Sequence, residues 1–296
     1  MVVPAFNAQG WLGATLESVL GQAPPPDEII VVDDGSTDAT AHVAEAYAGI
    51  RLLRQKNRGA AAARNAGAAA ATGEAILFLD ADDVLLPGAI SNLGHFASRE
   101  RGWGAVIPNH VPIGGPGAPL WPSQPERRVL ERPKAWRLIR ANHLAANALV
   151  RREAWRRLPF REELGGGEDL DFWLRLLLSG ERIVMLGLPL VRWRARRPDH
   201  PAASRTLRQK REGRRRVFEN LWARDDLTVR ERLLVAYQLV RASAGEAAAR
   251  VAAGESFPRS VFRRSPSGLV RAVGVALAAP GVLPALRRLD ARRLRP

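Results

Sequence analysis

The stretch AILFLDADDVLLPGA, Ala75–Ala89, decides the fold class of this 296-residue chain. It begins as an apolar run of the length typical of a buried strand and ends in three carboxylates, Asp80, Asp82 and Asp83, before Pro-Gly. Carboxylates this close repel one another unless a cation lies among them, and Mg²⁺ or Mn²⁺ prefers oxygen ligands that it shares with substrate phosphates. The stretch therefore predicts a strand that leads into a metal–diphosphate site. The alternative is a solvated acidic turn in which Asp83 caps the next segment.

The segments before this stretch alternate between strand and helix patterns. Strands are predicted at residues 2–6, 28–33 and 50–55, and helices at Ala8–Gly21, Thr37–Ala48 and Gly59–Ala71. Such alternation is typical of an α/β fold with a doubly wound, mostly parallel sheet of the Rossmann-like kind. Ligands of such sheets bind at the carboxyl ends of the strands, and Asp33, Asp34 and the later carboxylates follow at those ends.

Beyond residue 100 the pattern changes. It predicts a Pro- and Gly-rich loop at residues 108–125, helices at Lys134–Arg140, Arg151–Leu158 and from about Glu168, and one or two strands at Glu181–Arg196. After about Arg205 the pattern is helical, with a basic helix to Trp222 and a capping box formed by Thr228 and Glu231. We therefore predict an α/β domain over residues 1–205 and a basic, helical C-terminal extension over residues 206–296.

Charge is unevenly distributed along the chain. Residues 1–100 carry a net charge of −6 and residues 101–296 a net charge of +21, and a basic surface attracts phosphates, nucleic acid or anionic lipid. The chain has no Cys, which excludes disulfides and thiolate metal sites. MVVPAFNAQG does not resemble a leader peptide, and the apolar segment Ala272–Leu286 is shorter than the ~20 residues of a spanning helix. We expect a cytoplasmic protein whose basic tail can contact the inner face of the cell membrane peripherally.

Two further motifs precede the carboxylate cluster. In VVDDGSTDAT, Val31–Thr40, a carboxylate can accept hydrogen bonds from the N–H of a base or from ribose hydroxyls, or else Ser36 or Thr37 simply caps a helix. The Ala-rich segment that follows contains the motif Arg64-Asn-x-Gly. Low sequence complexity explains the alanines but not this motif, whose arginine can reach a phosphate.

A last acidic pair follows three glycines in GGGEDLDFWLRL, Gly165–Leu176. Glu168 and Asp169 open an amphipathic helix, where carboxylates complement the helix dipole. Asp169 has a second interpretation as a general base, which must lie within hydrogen-bond reach of the acceptor hydroxyl.

Together and in this order, the motifs resemble an inverting family 2 glycosyltransferase with the GT-A fold, over roughly Val2 to Arg205. The resemblance is carried by Pro4-Ala5-Phe6-Asn7, Asp33-Asp34-Gly35-Ser36-Thr37-Asp38, Arg64-Asn65-x-Gly67, Asp80-Ala81-Asp82-Asp83, and Glu168-Asp169 with Trp173 and Arg175 after it. The chain departs from the family pattern in its first strand, which is several residues shorter than is usual in the family.

The resemblance implies a role for each motif. The nucleotide-sugar site would include Pro4, Phe6, Asn7, Asp34 at the base, Arg64, and Asp82 at the ribose. It would also include His200 or Arg197 as the anion contact of a loop, Arg194–Arg205, that closes over the diphosphate. Asp83, with Asp80 nearby, would bind Mg²⁺ or Mn²⁺, and Asp169, beside Glu168, would deprotonate the acceptor hydroxyl. The reaction implied is one in-line displacement with inversion, from a nucleoside diphosphate sugar, expected to be a UDP-sugar, to a glycan or lipid-linked acceptor in cell-surface polysaccharide or glycoconjugate synthesis.

Two other classes of protein remain as alternatives. A sugar nucleotidyltransferase usually has a glycine-rich phosphate loop after its first strand, and PAFNAQGWL is not one. A nucleic-acid-binding protein would explain the basic second part of the chain, but it would not explain the carboxylates, and no helix-turn-helix, RNP or zinc pattern is present. We therefore expect no nucleic acid among the partners.

Overall fold

A computed structural model describes residues 1–99, 102–113, 127–132, 135–140, 144, 146–194 and 207–252. The strands are β1 (Val2–Ala5), β2 (Ile29–Asp33), β3 (Ile50–Arg54), β4 (Ala75–Phe78), β5 (Val84–Leu85), β6 (Trp103–Pro112), β7 (Arg127–Leu130), β8 (Ala148–Arg151) and β9 (Arg182–Trp193). The helices are α1 (Leu12–Leu20), α2 (Thr40–Glu45), α3 (Ala60–Ala70), α4 (Ala89–Arg99), α5 (Ala135–Arg140), α6 (Arg152–Arg157), α7 (Glu168–Leu178), α8 (Leu207–Trp222) and α9 (Val229–Ala252).

The strands form one sheet in the order β3-β2-β1-β4-β8-β6-β9-β5, and β7 pairs with β9. The first four strands run parallel, as does the β6–β9 pair, whereas β8 is antiparallel to both β4 and β6. The fold class predicted from the sequence is confirmed. Because β2, β1 and β4 are neighbours and run parallel, the loops that follow these strands emerge at the same edge of the sheet.

The N-terminal half of the sheet is covered by helices whose small or apolar faces fit it. Leu12, Leu16 and Val19 of α1 recur at helical spacing, are fully buried, and belong to one core cluster with Val3 and Val31 of the sheet. At roughly 1.5–3 kcal/mol for each buried large apolar side chain, this face is a major part of what stabilises the edge of the sheet that carries the loops.

The expected loop at residues 108–125 is wrong for its first part, because β6 continues to Pro112. Proline lacks an N–H donor, so it is tolerated in a strand only at bulges, edges or ends. Both prolines of this strand satisfy that rule: the register shifts between Ile107 and Asn109, around Pro108, and Pro112 is the last residue of the strand. Residues 114–126 lie outside the described residues.

Gly67 in α3 allows this helix to approach the sheet closely. A Cβ at this position would lie 2.4 Å from Val2 Cγ1, and Val2 is fully buried and stiff, so it cannot move aside. We expect Gly67→Ala to lower the free energy of unfolding by about 1–3 kcal/mol, as overpacking does, in urea denaturation. The control is Gly94→Ala in α4, which meets no atom within 4 Å and should be neutral or stabilising by up to about 1 kcal/mol. Equal stability of Gly67→Ala and the parent would contradict the close packing.

The contacts between residues group the chain into two compact units. The domain boundary after residue 205 stays a prediction. The described part of the second unit consists of residues 136–140, 163–168 and 207–252. In it α8 and α9 form a pair held by Arg215, which bonds to Glu246 at 2.6 Å.

The predicted capping box is confirmed, since Thr228 N–H donates to Glu231 and Glu231 N–H donates to the Thr228 hydroxyl. Within the described residues, no helix combines the length and the apolar character needed to cross a bilayer.

Candidate active site

Three carboxylates meet in the loop that joins β4 to β5. One oxygen from each of Asp80, Asp82 and Asp83 lies within 4.8 Å of the others. Asp80 and Asp82 are half-buried, and Asp83 is buried at 6% exposure. The alternative of a freely solvated acidic turn is therefore wrong for Asp83, which lies inside the site.

The charge of this cluster is not balanced within itself. Burial, and next the charges of Asp80 and Asp82, raise the pKa of Asp83 to about 8, although the Arg194 N–H and the Asn147 amide act in the opposite direction. A buried carboxylate beside two others is stabilised by a hard divalent cation, and an all-oxygen donor set suits Mg²⁺ or Mn²⁺. The residues present fit a divalent ion of that kind.

Asn147 holds two of the three acids, and sequence reasoning did not find it. Its Oδ1 accepts the N–H of Asp80 at 2.8 Å, which fixes the amide so that Nδ2 donates to Asp83 Oδ2. The other Asp83 oxygen, Oδ1, accepts the N–H of Arg194 at 2.9 Å. Asn147 precedes β8 and Arg194 follows β9, so the sheet itself positions the carboxylate.

Arg64 is buried at 5% exposure, and its Nη2 donates to Asp80 Oδ1 at 2.7 Å. Its guanidinium also lies 5.6 Å from the ring centroid of Phe160. The expected contact between Arg64 and a phosphate stays a prediction, whereas its contact with the acidic loop is a feature of the structure. The adjacent Asn65 has a structural role, since its side chain exchanges hydrogen bonds with the backbone of Phe160 and accepts one from Trp155.

Asp34, just after β2, organises the loop that follows β3. Its carboxylate accepts hydrogen bonds from Gln55 Nε2 at 2.7 Å, Arg58 N–H at 2.9 Å and Gly59 N–H at 2.7 Å. Gly35 is required there, because its φ is +74° and a Cβ would lie 2.7 Å from a backbone nitrogen. A carboxylate has about four acceptor positions, so three hydrogen bonds leave Asp34 able to accept one more.

The residues at the end of β1 and directly after it lie at the same edge. Pro4, Phe6 and Asn7 are half-buried. Asn7 has a left-handed backbone, φ +47°, and its side chain accepts the N–H of Thr37 at 2.8 Å. Asparagine tolerates this conformation better than most residues. Its own N–H donates to the Ser36 hydroxyl at 2.9 Å, so the loops after β1 and β2 are joined.

Glu168 and Asp169 are the first two residues of α7, as predicted, and both are half-buried. Asp169 Oδ1 accepts the N–H of Leu170 at 2.7 Å. The helix is anchored in the core by the fully buried Phe172 and Trp173. Farther along α7, Arg175 bonds to Asp171 at 2.6 Å and to the carbonyl of Pro159 at 2.7 Å, which fixes the backbone before the glycines.

The glycine run before α7 is packed within the second unit. Gly165 and Gly167 have φ of +67° and +73°. Gly166 is buried against Gly213 of α8, where a Cβ would lie 2.3 Å from the Gly166 carbonyl oxygen. Gly213 is a second residue that sequence reasoning missed, because a single glycine in a basic helix gives no signal by itself. His200 and the closing loop lie outside the described residues, so that assignment stays a prediction.

His110 on β6 is also absent from the sequence-based site. It is fully buried, and burial lowers its pKa to about 4, although the nearby charge of Asp80 acts in the opposite direction. The imidazole is therefore neutral at physiological pH.

A family model described as Glycosyl transferase family 2 matches residues 1–158, more than half of the chain. The chain therefore belongs to glycosyl transferase family 2, as its motifs indicated.

Several curated relatives are similar in sequence. EpsJ of Bacillus subtilis (strain 168), named an uncharacterized glycosyltransferase, is 30% identical over 207 residues, which cover 63% of this chain and 58% of EpsJ. WfaP of Escherichia coli, named UDP-Glc:alpha-D-GlcNAc-diphosphoundecaprenol beta-1,3-glucosyltransferase, is 38% identical over 104 residues, 34% of this chain and 41% of WfaP. The matched part of the chain thus spans less than two thirds of the length of either relative.

Solved structures are similar in fold. S. aureus TarS 1-349 in complex with UDP-GlcNAc superposes with a TM-score of 0.72 and 19% identity over 99% of this chain and 91% of that chain. Mannosyltransferase PcManGT from Pyrobaculum calidifontis in complex with GDP-Man and Mn²⁺ gives a TM-score of 0.58 and 20% identity over 98% of this chain and 83% of that chain. At these identities the likeness establishes the GT-A fold alone, and it confirms the predicted fold.

Proposed function

We propose that the protein transfers a sugar from a nucleoside diphosphate sugar, with UDP as the expected nucleotide, to an acceptor hydroxyl with inversion. The observation that carries the proposal is the cluster of Asp80, Asp82 and Asp83 at the carboxyl end of β4. The cluster lies at the edge of the sheet where Asp34 follows β2. One nucleotide sugar could therefore contact Asp34 with its base while its diphosphate lies at the acidic cluster.

Each residue has a proposed role that its surroundings support. Asp34 retains acceptor capacity for a base N–H, and Asp82 would accept a hydrogen bond from the ribose. Pro4 in β1, with Phe6 and Asn7 directly after the strand, would line the nucleotide. Arg64 holds Asp80 at 2.7 Å, which supports a role in fixing the acidic loop while the diphosphate binds.

Asp83, with Asp80, would hold Mg²⁺ or Mn²⁺. When bound, such an ion neutralises negative charge on the diphosphate that leaves. Asn147 and the Arg194 N–H keep the Asp83 carboxylate oriented. The PcManGT neighbour contains Mn²⁺ in its complex, which supports the choice of ion without deciding it.

Asp169 would take the proton of the acceptor hydroxyl, and Glu168 lies beside it at the start of α7. The attacking oxygen then displaces the nucleoside diphosphate from the opposite face of the anomeric carbon, so that one C–O bond forms as the other breaks and the configuration inverts. The acceptor would be a glycan or a lipid-linked glycan of the cell surface, which the name of WfaP, a relative that acts on a diphosphoundecaprenol-linked sugar, supports.

The donor is tested by thermal unfolding with UDP-, GDP- and dTDP-sugars, each with and without Mn²⁺. A ligand at one hundred times its Kd stabilises the folded state by about 2.7 kcal/mol, so we expect a Tm shift of about 5 °C or more that requires Mn²⁺. A shift with nucleoside triphosphate plus sugar phosphate, and none with any nucleotide sugar, would instead support a sugar nucleotidyltransferase. No shift with any nucleotide would overturn both.

A further inference from the structure

Helix α9 exposes a row of apolar side chains. Val229, Leu233 and Tyr237 are 78%, 67% and 56% exposed, and their spacing of four residues places them on one face of the helix. The other large apolar side chains that are exposed in the described part of the chain, Leu20 and Leu188, lie on different elements at about 40% exposure. The row on α9 is therefore a contiguous surface feature and not scattered exposure.

Cations border this row. Arg230 is exposed and its guanidinium lies 3.7 Å from the ring centroid of Trp136, while Arg241 lies 5.7 Å from the ring centroid of Tyr237 at the other end of the row. One groove along this face is lined by Trp136, Val229, Arg230, Leu233 and Leu234. An apolar strip with Trp, Tyr and Arg at its margins is the composition found at the boundary between water and lipid.

The acidic side chains of α9 itself are kept off this face. Glu231 and Glu246, the two acids of α9, are 3% and 1% exposed. Glu231 is bonded to Thr228 and Glu246 is paired with Arg215. In the turn before α9, Asp226 is paired with Arg224 and Asp225 is exposed. Residues 207–252 as a whole carry a net charge of +5.

We propose that this face of α9 docks on the anionic headgroups of a lipid bilayer, with Val229, Leu233 and Tyr237 at the boundary of the acyl chains and Arg230 and Arg241 on the headgroups. The complementary sign of charge selects this occupant, since basic segments are drawn to anionic leaflets. A second copy of the chain, at net +15, and residues 253–296, at net +7, both repel a basic face.

The proposal goes beyond the transfer reaction and assigns the membrane contact, which the sequence predicted for the basic tail as a whole, to one face of α9. The sequence assigned this contact to the basic tail over residues 206–296, of which the apolar segment Ala272–Leu286 lies outside the described residues. The first basic run of that tail lies in α8, and three of its arginines are engaged within the second unit. Arg211 donates to the carbonyl of Gly245, Arg215 pairs with Glu246 and Glu219, and Arg216 pairs with Glu212. Among the described residues of this unit, the large apolar side chains that are exposed lie on α9.

The test is co-sedimentation of the full chain with vesicles of phosphatidylcholine, with and without phosphatidylglycerol. We expect binding only to vesicles that contain phosphatidylglycerol, and weaker binding as salt is raised. The double variant Leu233→Ser, Tyr237→Ser should bind at least about tenfold more weakly, because it loses two apolar side chains at the boundary. The matched control Leu20→Ser, Leu188→Ser removes similar exposed side chains elsewhere and should bind like the parent.

Equal vesicle binding by the α9 double variant and the parent would overturn the proposal, as would no binding of the parent. A parent dimer that the α9 variant converts to a monomer, measured by light scattering, would assign the face to a second copy instead. Cooperative thermal unfolding of the α9 variant without ligand, at a Tm close to that of the parent, reports that it is folded. Failure of the donor proposal would leave the vesicle result unaffected, so the two are separable.

Discussion

Replacing Asp83 by asparagine should abolish the Mn²⁺-dependent part of donor binding. Asp83 is the most buried acid of its cluster, and asparagine cannot supply the negative charge that a divalent ion needs. In calorimetry with Mn²⁺ we expect donor affinity to fall by at least about a hundredfold, the loss on removing a strong partner of a buried charge. A matched control is Asp225→Asn, an exposed acid in the turn before α9, which should bind donor like the parent.

The same substitution should change how stability depends on pH. The pKa of Asp83 is about 8 in the folded protein against an ordinary value of 3.8, so the folded state holds the proton more tightly. The stability of the metal-free parent should then fall as pH rises from about 4 to about 8. As pH rises from 5 to 8, the free energy of unfolding of the metal-free parent should fall relative to that of Asp83→Asn by at least about 1 kcal/mol. Parallel curves, together with unchanged donor affinity, would remove Asp83 from the site.

The parts of the site that could be predicted from the sequence are those encoded in short motifs. The strand before Asp80 and the turn after Asp33 are local patterns, and the position of both at the carboxyl edge follows from the alternation of strands and helices. The partners of these acids were not predictable in this way. Asn147 and Arg194 are 64 and 111 residues from Asp83 along the chain, and only the closed sheet brings them to it.

Other sequence signals were ambiguous about the partner of a residue. Arg64 is a conspicuous arginine before an acidic motif, but the sequence does not reveal that its guanidinium bonds to Asp80 instead of facing solvent. The run of basic residues in α8 likewise suggested a membrane surface, whereas burial and ion pairing use part of it within the fold. A helical sequence gives the spacing of its residues but not which face is covered, and the exposed row on α9 appears only in the structure.

Replacing Asp169 by asparagine should lower kcat by about 10²–10⁴-fold, which corresponds to about 3–5 kcal/mol, while donor affinity stays nearly unchanged. An acceptor hydroxyl has a high pKa and attacks poorly unless its proton is taken in the transition state. Asparagine retains the oxygen that accepts the Leu170 N–H, and Phe172 and Trp173 still anchor α7, but it cannot take a proton. The measurement is the rate of nucleoside diphosphate release with the donor found by thermal shift and a matching acceptor, alongside donor Kd by calorimetry.

Glu168→Gln is the matched control for Asp169→Asn, because the two acids are adjacent, half-buried and at the start of the same helix. It removes the same charge from the positive end of the α7 dipole, which is worth only about 0.3–1 kcal/mol at such a position. Removing a general base should therefore lower kcat by roughly two orders of magnitude or more, whereas removing a carboxylate that only complements the helix dipole should leave kcat nearly unchanged. If Glu168→Gln were inactive and Asp169→Asn active, the general base would be Glu168 instead of Asp169. If both variants keep near-normal turnover, the pair serves only the helix N-terminus, and the base must be sought among the other acids at the carboxyl edge of the sheet.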